Sequence, residues 1–253
     1  MLNILLPGAA GASASGLFSI SRKISSIVQL VRTAFAYVLA PLASLASTGA
    51  TGRVHGIYSF ATRVSFSIAL PMGIVLCASG PAILRVFGPE AASALPALMI
   101  LIAARIVEAV IGSAVPIQQV TGGYRGQFLG SGLGLALAAA LAIWLVPISG
   151  LTGMTIAVGA GLVVAAIVPL WQLHRYHDIH PFQAPFARVA MRAVTVAAAG
   201  LLAALPIYWL PNAAQLPLLA LLLVGTLWSG CRFALPREDR EALGKTGKKL
   251  GLS

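Results

Sequence analysis

Residues 127–173 read QFLGSGLGLALAAALAIWLVPISGLTGMTIAVGAGLVVAAIVPLWQL and contain no Asp, Glu, Lys or Arg. An α-helix needs about 20 apolar residues to cross the hydrocarbon core of a bilayer. The stretch therefore predicts two successive membrane-spanning helices, over 127–147 and 150–173. Helices are expected because the apolar runs are continuous and lack the alternation of barrel strands.

Five further apolar blocks flank this stretch. They cover 17–47, 57–80, 93–120, 189–210 and 213–231. The chain is 58% apolar and 9% charged, whereas soluble domains carry roughly 25% charged residues. This composition excludes a water-soluble globule and a disordered chain. We therefore predict an all-α, polytopic transmembrane helical bundle of about seven spans.

The chain carries 17 Lys and Arg against 6 Asp and Glu, a net charge of +11. The basic residues are scattered between apolar blocks, which favours a topology signal and anionic-lipid contact over nucleic-acid binding. Twelve of them lie in or just beyond alternate connections and in the tail, and the connection between 57–80 and 93–120 holds Arg85 with Glu90. The twelve are Arg53 and, just beyond that connection, Arg63, then Arg125, then Arg175 and Arg188 with Arg192 just beyond, then Arg232, Arg237, Arg240, Lys245, Lys248 and Lys249. The positive-inside rule then predicts a cytoplasmic C-terminus and a first span that runs inward.

Small residues recur every fourth position in the two central spans. The rows are Gly122, Gly126, Gly130, Gly134, Ala138 and Ala142, and Gly153, Ala157, Gly161 and Ala165. Such rows let helix backbones approach closely in lipid. They fit either static packing or a sliding seam in a moving transporter. The two cysteines, Cys77 and Cys231, lie in different blocks and are expected to be free thiols.

The first block is the least apolar, and its polar residues form one stripe on a 3.6-residue period. They are Ser19, Ser21, Arg22, Ser25, Ser26, Gln29, Arg32 and Thr33. Arg32 lies near mid-span without a carboxylate on its own helix, and a guanidinium there suits a phosphate. The alternative is a bridge from Arg32 to a backbone carbonyl or to Glu108. The predicted substrate-binding residues are Arg32, Arg22, Gln29 and Ser25.

Arg105 and Glu108 lie three residues apart in the block 93–120, and therefore share a helix face. Glu108 fits an ion-coupling carboxylate of a transporter, and the alternative is a structural ion pair between Arg105 and Glu108, which neutralises both charges in lipid. His174, His177 and His180 form an HxxHxxH pattern beside Asp178. Pro181 and the loop setting disfavour a shared ligand face, so no metal site is predicted. No P-loop, nucleophile elbow or HExxH pattern occurs, and we expect neither an enzyme nor a cofactor.

Several stretches together resemble the C-terminal half of the polysaccharide exporters, the O-antigen-type lipid-linked oligosaccharide flippases of the multidrug/oligosaccharidyl-lipid/polysaccharide exporter superfamily. They are GLFSISRKI at 16–24, GIYSFATR at 56–63, ILRVFGPE at 83–90, VTGGYRGQF at 120–128, GLTGMTIA at 150–157 and RYHDIHPF at 175–182. The family has fourteen helices in two lobes, and the seven blocks would match helices eight to fourteen.

The resemblance implies five segments along the chain. They are a remnant of a preceding helix and outer loop (1–16), a five-helix lobe (17–173), a cytoplasmic link (174–188), two further helices (189–231) and a basic cytoplasmic tail (232–253). The tail is expected either on anionic headgroups or in solvent. The family's first lobe has no counterpart in these blocks.

The implied function is movement of an undecaprenyl-diphosphate-linked oligosaccharide across the inner membrane, for O-antigen, capsule or exopolysaccharide synthesis. The implied partners are that lipid-linked diphosphate, anionic membrane lipids, and a missing N-terminal half or other polysaccharide-assembly membrane proteins. Two alternatives stay open: a drug/cation antiporter of the same superfamily, and a truncated or non-transporting partner subunit.

Overall fold

The computed structural model describes residues 8–47, 51–111, 113–120, 124–178, 181–182 and 184–242. Every regular element in these ranges is helical, which confirms the all-α prediction. The α-helices are α1 (Gly8–Ser47), α2 (Thr51–Arg85), α3 (Leu95–Ile111), α4 (Ala114–Val120), α5 (Tyr124–His177), α6 (Ala184–Ala204), α7 (Asn212–Ser229) and α8 (Arg237–Ala242). Short 3-10 helices cover Pro89–Ala94 and Leu205–Trp209, and a π-helical turn covers Gly230–Ala234.

Five described segments are long and apolar enough to cross a membrane. They are Val54–Arg85, Pro89–Gln118, Gly126–Tyr176, Pro185–Trp209 and Ala214–Ala234. Their length and composition identify a membrane-embedded helical protein. The polar first helix, α1, is not among these five.

The helix α5 is a hairpin of two antiparallel arms, 124–149 and 151–177, joined at Gly150. Gly150 has φ 51° and ψ −121°, a backbone conformation outside the helical region that favours glycine. A Cβ built on Gly134 would lie 2.5 Å from the carbonyl oxygen of Gly161, so the arms are in backbone contact there. At 1.5 Å per residue each arm extends about 38 Å, enough to cross a bilayer. The arms correspond to the predicted blocks 127–147 and 150–173.

The bundle is assembled around α2, which packs against α1, α3, α6 and α7. Its main core joins three helices through large apolar side chains. Among them are Ile24 and Val28 of α1, Met72 and Leu76 of α2, and Leu98 and Ile102 of α3. The first helix packs much more extensively on α2 and α3 than on α5. A gap between α1 and the hairpin results.

The start of the first helix differs from the sequence-based prediction. The first helix begins at Gly8, so residues 8–16 are helical and continuous with the block at 17–47; residues 1–7 lie outside the described residues. The block at 93–120 contains two described helices, α3 and α4, and residue 112 between them lies outside the described residues.

The first turns of α2, the end of α5, Pro181 and α8 meet at one end of the bundle, which we call the basic end. The Ser59 hydroxyl donates a hydrogen bond to the Pro181 carbonyl at 3.2 Å, and Arg63 pairs with Asp239. A buried apolar cluster joins the same end to α4 and α5. Its members are Val54, Tyr58, Ala114, Ile117 and Leu173.

The described part of the tail docks through an acidic residue. Two nitrogens of Arg63, Nε and Nη2, each donate to one carboxylate oxygen of Asp239 at 2.7 Å. Arg63 also donates from Nη1 to Ser59 at 2.8 Å, and Asp239 is buried. The helix α8 is thus held against α2 instead of lying free in solvent. Tail residues 243–253 lie outside the described residues.

Candidate functional site

The polar stripe of α1 lies along the edge of the buried face. Ser21 and Ser25 are fully buried, Gln29 is half-buried and Arg22 is exposed. The neighbouring Lys23 is exposed on the far side of the helix, as its position off the stripe predicts. The stripe therefore divides into a buried hydroxyl part and a part that reaches the gap beside α5.

Arg22 lines a cavity of about 300 Å³ between α1 and the two arms of α5. Most of its other lining side chains are apolar or small. They are Phe18, Ser131, Gly134, Leu135, Ala138, Val158, Gly161, Leu162 and Ala165. Leu135 and Ala138 belong to the first arm, and Leu162 and Ala165 to the second. Among the described side chains, one guanidinium thus lies at the edge of an apolar cleft.

A second cavity of about 230 Å³ adjoins the first and is more polar. Its lining includes Glu108, Gln127 and Ser131, with Val115, Leu162, Ala165, Ala166 and Pro169. Ser131, Leu162 and Ala165 line both cavities. The two cavities are therefore continuous along the surface of the hairpin. Arg22 of α1 lines the first cavity, and Glu108 of α3 lines the second.

Glu108 is paired with Arg105 on its own helix. Nη1 of Arg105 donates to Oε2 of Glu108 at 2.5 Å, and the two side chains are only 8% and 11% exposed. Nε of Arg105 is buried and has no hydrogen-bond partner among the described residues. The Glu108 charge is thus compensated on its own helix, which is the arrangement expected for ionisable groups in lipid.

The other predicted site residues differ in placement. The Ser25 hydroxyl donates to the Arg22 carbonyl at 2.9 Å, so Ser25 stabilises α1 and does not line the cavity. Gln29 lies on the stripe between the buried and exposed faces, and its carbonyl accepts a hydrogen bond from Thr33. The side chain of Arg32 lies outside the described residues.

The histidine pattern gathers no metal-ligand set in the described residues. His174 Nδ1 lies 3.7 Å from Asp178 Oδ1, and both side chains are largely exposed. The His177 side chain and His180 are outside the described residues.

Sequence reasoning missed two polar residues of the site, Gln127 and Ser131. They lie four apart at the start of the first arm, and residues at this spacing share a helix face. Both interrupt an otherwise apolar block, and a polar pair on one face of a membrane helix is the signal that would have identified them.

The arrangement combines two recognition chemistries in adjoining space. A guanidinium can hold a phosphate through paired, charge-assisted hydrogen bonds. The apolar cleft suits a hydrocarbon chain, and the amide, hydroxyl and carboxylate groups of the second cavity suit hydroxyl groups or a cation. Comparisons with protein-family models, with curated proteins and with solved structures find no match.

Proposed function

We propose that this chain forms part of a membrane flippase that moves an undecaprenyl-diphosphate-linked oligosaccharide across the inner membrane for polysaccharide biosynthesis. The main support for this proposal is the position of Arg22 beside a cavity between α1 and α5. A lipid-linked diphosphate has an anionic group, a long hydrocarbon chain and a hydroxyl-rich head. The two cavities offer a matching group for each of these parts.

In this proposal Arg22 binds a phosphate oxygen, and Gln127 and Ser131 contact sugar hydroxyls or water. Gln29 lines neither cavity, and Arg32 remains a predicted second basic residue of the same helix. Ser25 has no substrate role because it is buried and bonded within α1.

We further propose seven spans. The segment Gly126–Tyr176 counts as two because its arms are antiparallel, and the other four apolar segments and α1 complete the number. The basic end then faces the cytoplasm, together with the C-terminus. Transport by alternating access requires a second lobe against which this one moves, in the same or a separate chain.

The test compares two adjacent cations of α1. Arg22→Gln removes the guanidinium beside the cavity, and Lys23→Gln removes an exposed charge on the other side. A hydrogen bond to a charged group contributes about 1.5–3 kcal/mol, so we expect Arg22→Gln to slow transport about tenfold or more. Lys23→Gln is expected to remain near the unmodified rate. The readout is translocation of a fluorescent isoprenoid-diphosphate sugar in proteoliposomes, and polysaccharide export in cells.

Equal rates for Arg22→Gln and the unmodified protein would remove the phosphate-binding role. Arg32→Ala, made in the same assay, is expected to reduce transport as well and to add to the Arg22→Gln effect.

A drug/cation antiporter is the second candidate, and the presence of Glu108 in the polar cavity favours it. That function predicts that Glu108→Gln abolishes transport of a cationic dye while Arg22→Gln leaves it intact. The flippase proposal predicts that Arg22→Gln slows transport of the lipid-linked sugar more than Glu108→Gln does.

A further inference from the structure

A second apolar groove lies at the basic end, and Arg22 is not among its lining residues. It encloses about 540 Å³ and is lined by Ile167, Leu170, Trp171, His174 and Phe182. The first four belong to one face of the second arm of α5, and Phe182 belongs to the link that follows. None of these residues lines the two cavities of the candidate site.

The wall formed by Phe182 is fixed by ring packing. The Phe182 ring meets Phe186 of α6 edge-on at 5.0 Å between centroids, and Phe186 meets Phe66 of α2 at 5.3 Å. The link is further tied to α2 by the hydrogen bond between Ser59 and Pro181. The groove is therefore part of the packed structure and does not need a ligand to shape it.

The groove lies where the apolar spans end. One span ends at Tyr176 and the next begins at Pro185, so the polar end of the groove, at His174, coincides with a membrane boundary. Trp171 and Tyr176 are 59% and 73% exposed. Exposed Trp and Tyr at such a boundary are typical of side chains in the headgroup region of a bilayer.

The charge around this end is predominantly positive. Arg175 is exposed one helical turn after Trp171, and Arg188 and Arg192 are exposed one turn apart near the start of α6. Acidic residues are present here too: Asp178 lies 3.7 Å from His174, and Asp239 of α8 is bonded to Arg63. Arg175 directly follows His174 at the polar end of the groove, so the groove complements a molecule with a hydrocarbon chain and an anionic head.

We propose that this groove binds one anionic phospholipid of the adjoining leaflet. An acyl chain lies against Ile167, Leu170 and Trp171, and the phosphate group is turned toward Arg175. The proposal is independent of the transported cargo, because it concerns a lipid that stays with the protein.

The test uses the full chain purified in detergent, titrated with dioleoyl phosphatidylglycerol or with dioleoyl phosphatidylcholine, which carries the same acyl chains. Native mass spectrometry counts the lipids that remain bound. We expect the unmodified protein to retain phosphatidylglycerol in preference to phosphatidylcholine. Since a basic residue near an anionic lipid surface contributes roughly a fivefold change in binding, Arg175→Gln is expected to remove most of that preference and Arg175→Lys to retain it.

The matched control lies on the same helix. Trp144 is 66% exposed but lies in the first arm near Gly150, at the end of the hairpin opposite to the groove. We expect Trp171→Ala to lower retention of phosphatidylglycerol and Trp144→Ala to leave it unchanged. Equal binding of the two lipids by the unmodified protein would overturn the proposal. Equal loss in the two tryptophan variants, or a preference that survives Arg175→Gln, would overturn it as well.

Discussion

Gly134→Ala tests the contact that holds the two arms of α5 together. A Cβ at this position would lie 2.5 Å from the carbonyl oxygen of Gly161 and 2.9 Å from the Cβ of Ala165. A backbone oxygen cannot rotate away as a flexible side chain can, so the second arm must shift. Gly132, two residues earlier, faces open space, and a Cβ there would meet nothing within 4 Å. Gly132→Ala is therefore the matched control.

The expected magnitudes follow from two opposing effects. Replacing glycine by alanine within a helix stabilises it by about 1 kcal/mol. Forcing an extra carbon into a close-packed contact costs about 1–3 kcal/mol. Gly132→Ala shows only the first effect, whereas Gly134→Ala shows both and is expected to be the less stable variant by about 2 kcal/mol. For a chain of this size that difference separates the two unfolding midpoints by about 4–8 °C.

Thermal unfolding in detergent micelles, followed by tryptophan fluorescence, measures the difference. All variants are heated at one scan rate, because irreversible unfolding makes the midpoint depend on the rate. Gly161→Ala is expected to behave like Gly134→Ala, since its Cβ would lie 2.6 Å from the Gly134 carbonyl oxygen. If Gly134→Ala unfolds at the same temperature as Gly132→Ala, static close packing of the two arms at Gly134 is incorrect.

Two further predictions concern buried ion pairs. Arg63→Gln or Asp239→Asn leaves one nearly buried charge without its partner and is expected to destabilise the protein by about 3 kcal/mol. Exchanging the two charges, by Arg63→Asp together with Asp239→Arg, should recover part of the lost unfolding midpoint. If the exchange recovers nothing, α8 is not held by this ion pair. Glu108→Gln leaves the Arg105 guanidinium buried without its carboxylate, so it should lower the unfolding midpoint more than the double change with Arg105→Gln does. The opposite order in the same thermal assay would contradict the view that the pair compensates charge.

The apolar runs were sufficient to predict the helices but not every boundary. The arms of α5, 124–149 and 151–177, include their predicted ranges because charge is absent over 127–173 and Gly150 separates two helical arms, each long enough to cross a bilayer. The start of α1 at Gly8 was missed because a Gly- and Ala-rich segment has weak apolar periodicity, although alanine is the best helix former. The local sequence pattern predicts the length of an apolar span well, but it does not predict how far a helix continues beyond that span.

Long-range contacts between charges could not be read from the sequence. Arg63 was placed just beyond a basic connection, at the start of the block 57–80, and Asp239 in a tail described by its excess of basic residues. The structure joins them over 176 positions, and neither local spacing nor composition specifies such a partner. A usable signal did exist, since an arginine inside an apolar block needs an acidic or carbonyl partner.

The candidate site was only partly predictable for a related reason. The helical period places the polar residues of α1 on one stripe, but it does not say which edge of the stripe faces a neighbouring helix. Ser25 and Arg22 lie three residues apart, and packing on α2 and α3 buries the first and leaves the second beside α5. Gln127 and Ser131 belong to the first arm of α5, and the turn at Gly150 determines which helices lie beside that arm.

The row of small residues that closes the hairpin also shapes the cavity beside Arg22. Gly134, Ala138, Gly161 and Ala165 are in contact across the arms, and all four line that cavity. Small side chains permit close backbone approach and leave the space toward α1 unfilled. Any displacement of one arm along the other would therefore change the volume next to Arg22. The static and sliding interpretations of the row thus involve the same four residues, and the variant Gly134→Ala distinguishes them. If the packing is static, Gly134→Ala unfolds at a lower temperature than Gly132→Ala. If the row is a sliding seam, the two variants unfold at the same temperature and Gly134→Ala transports more slowly.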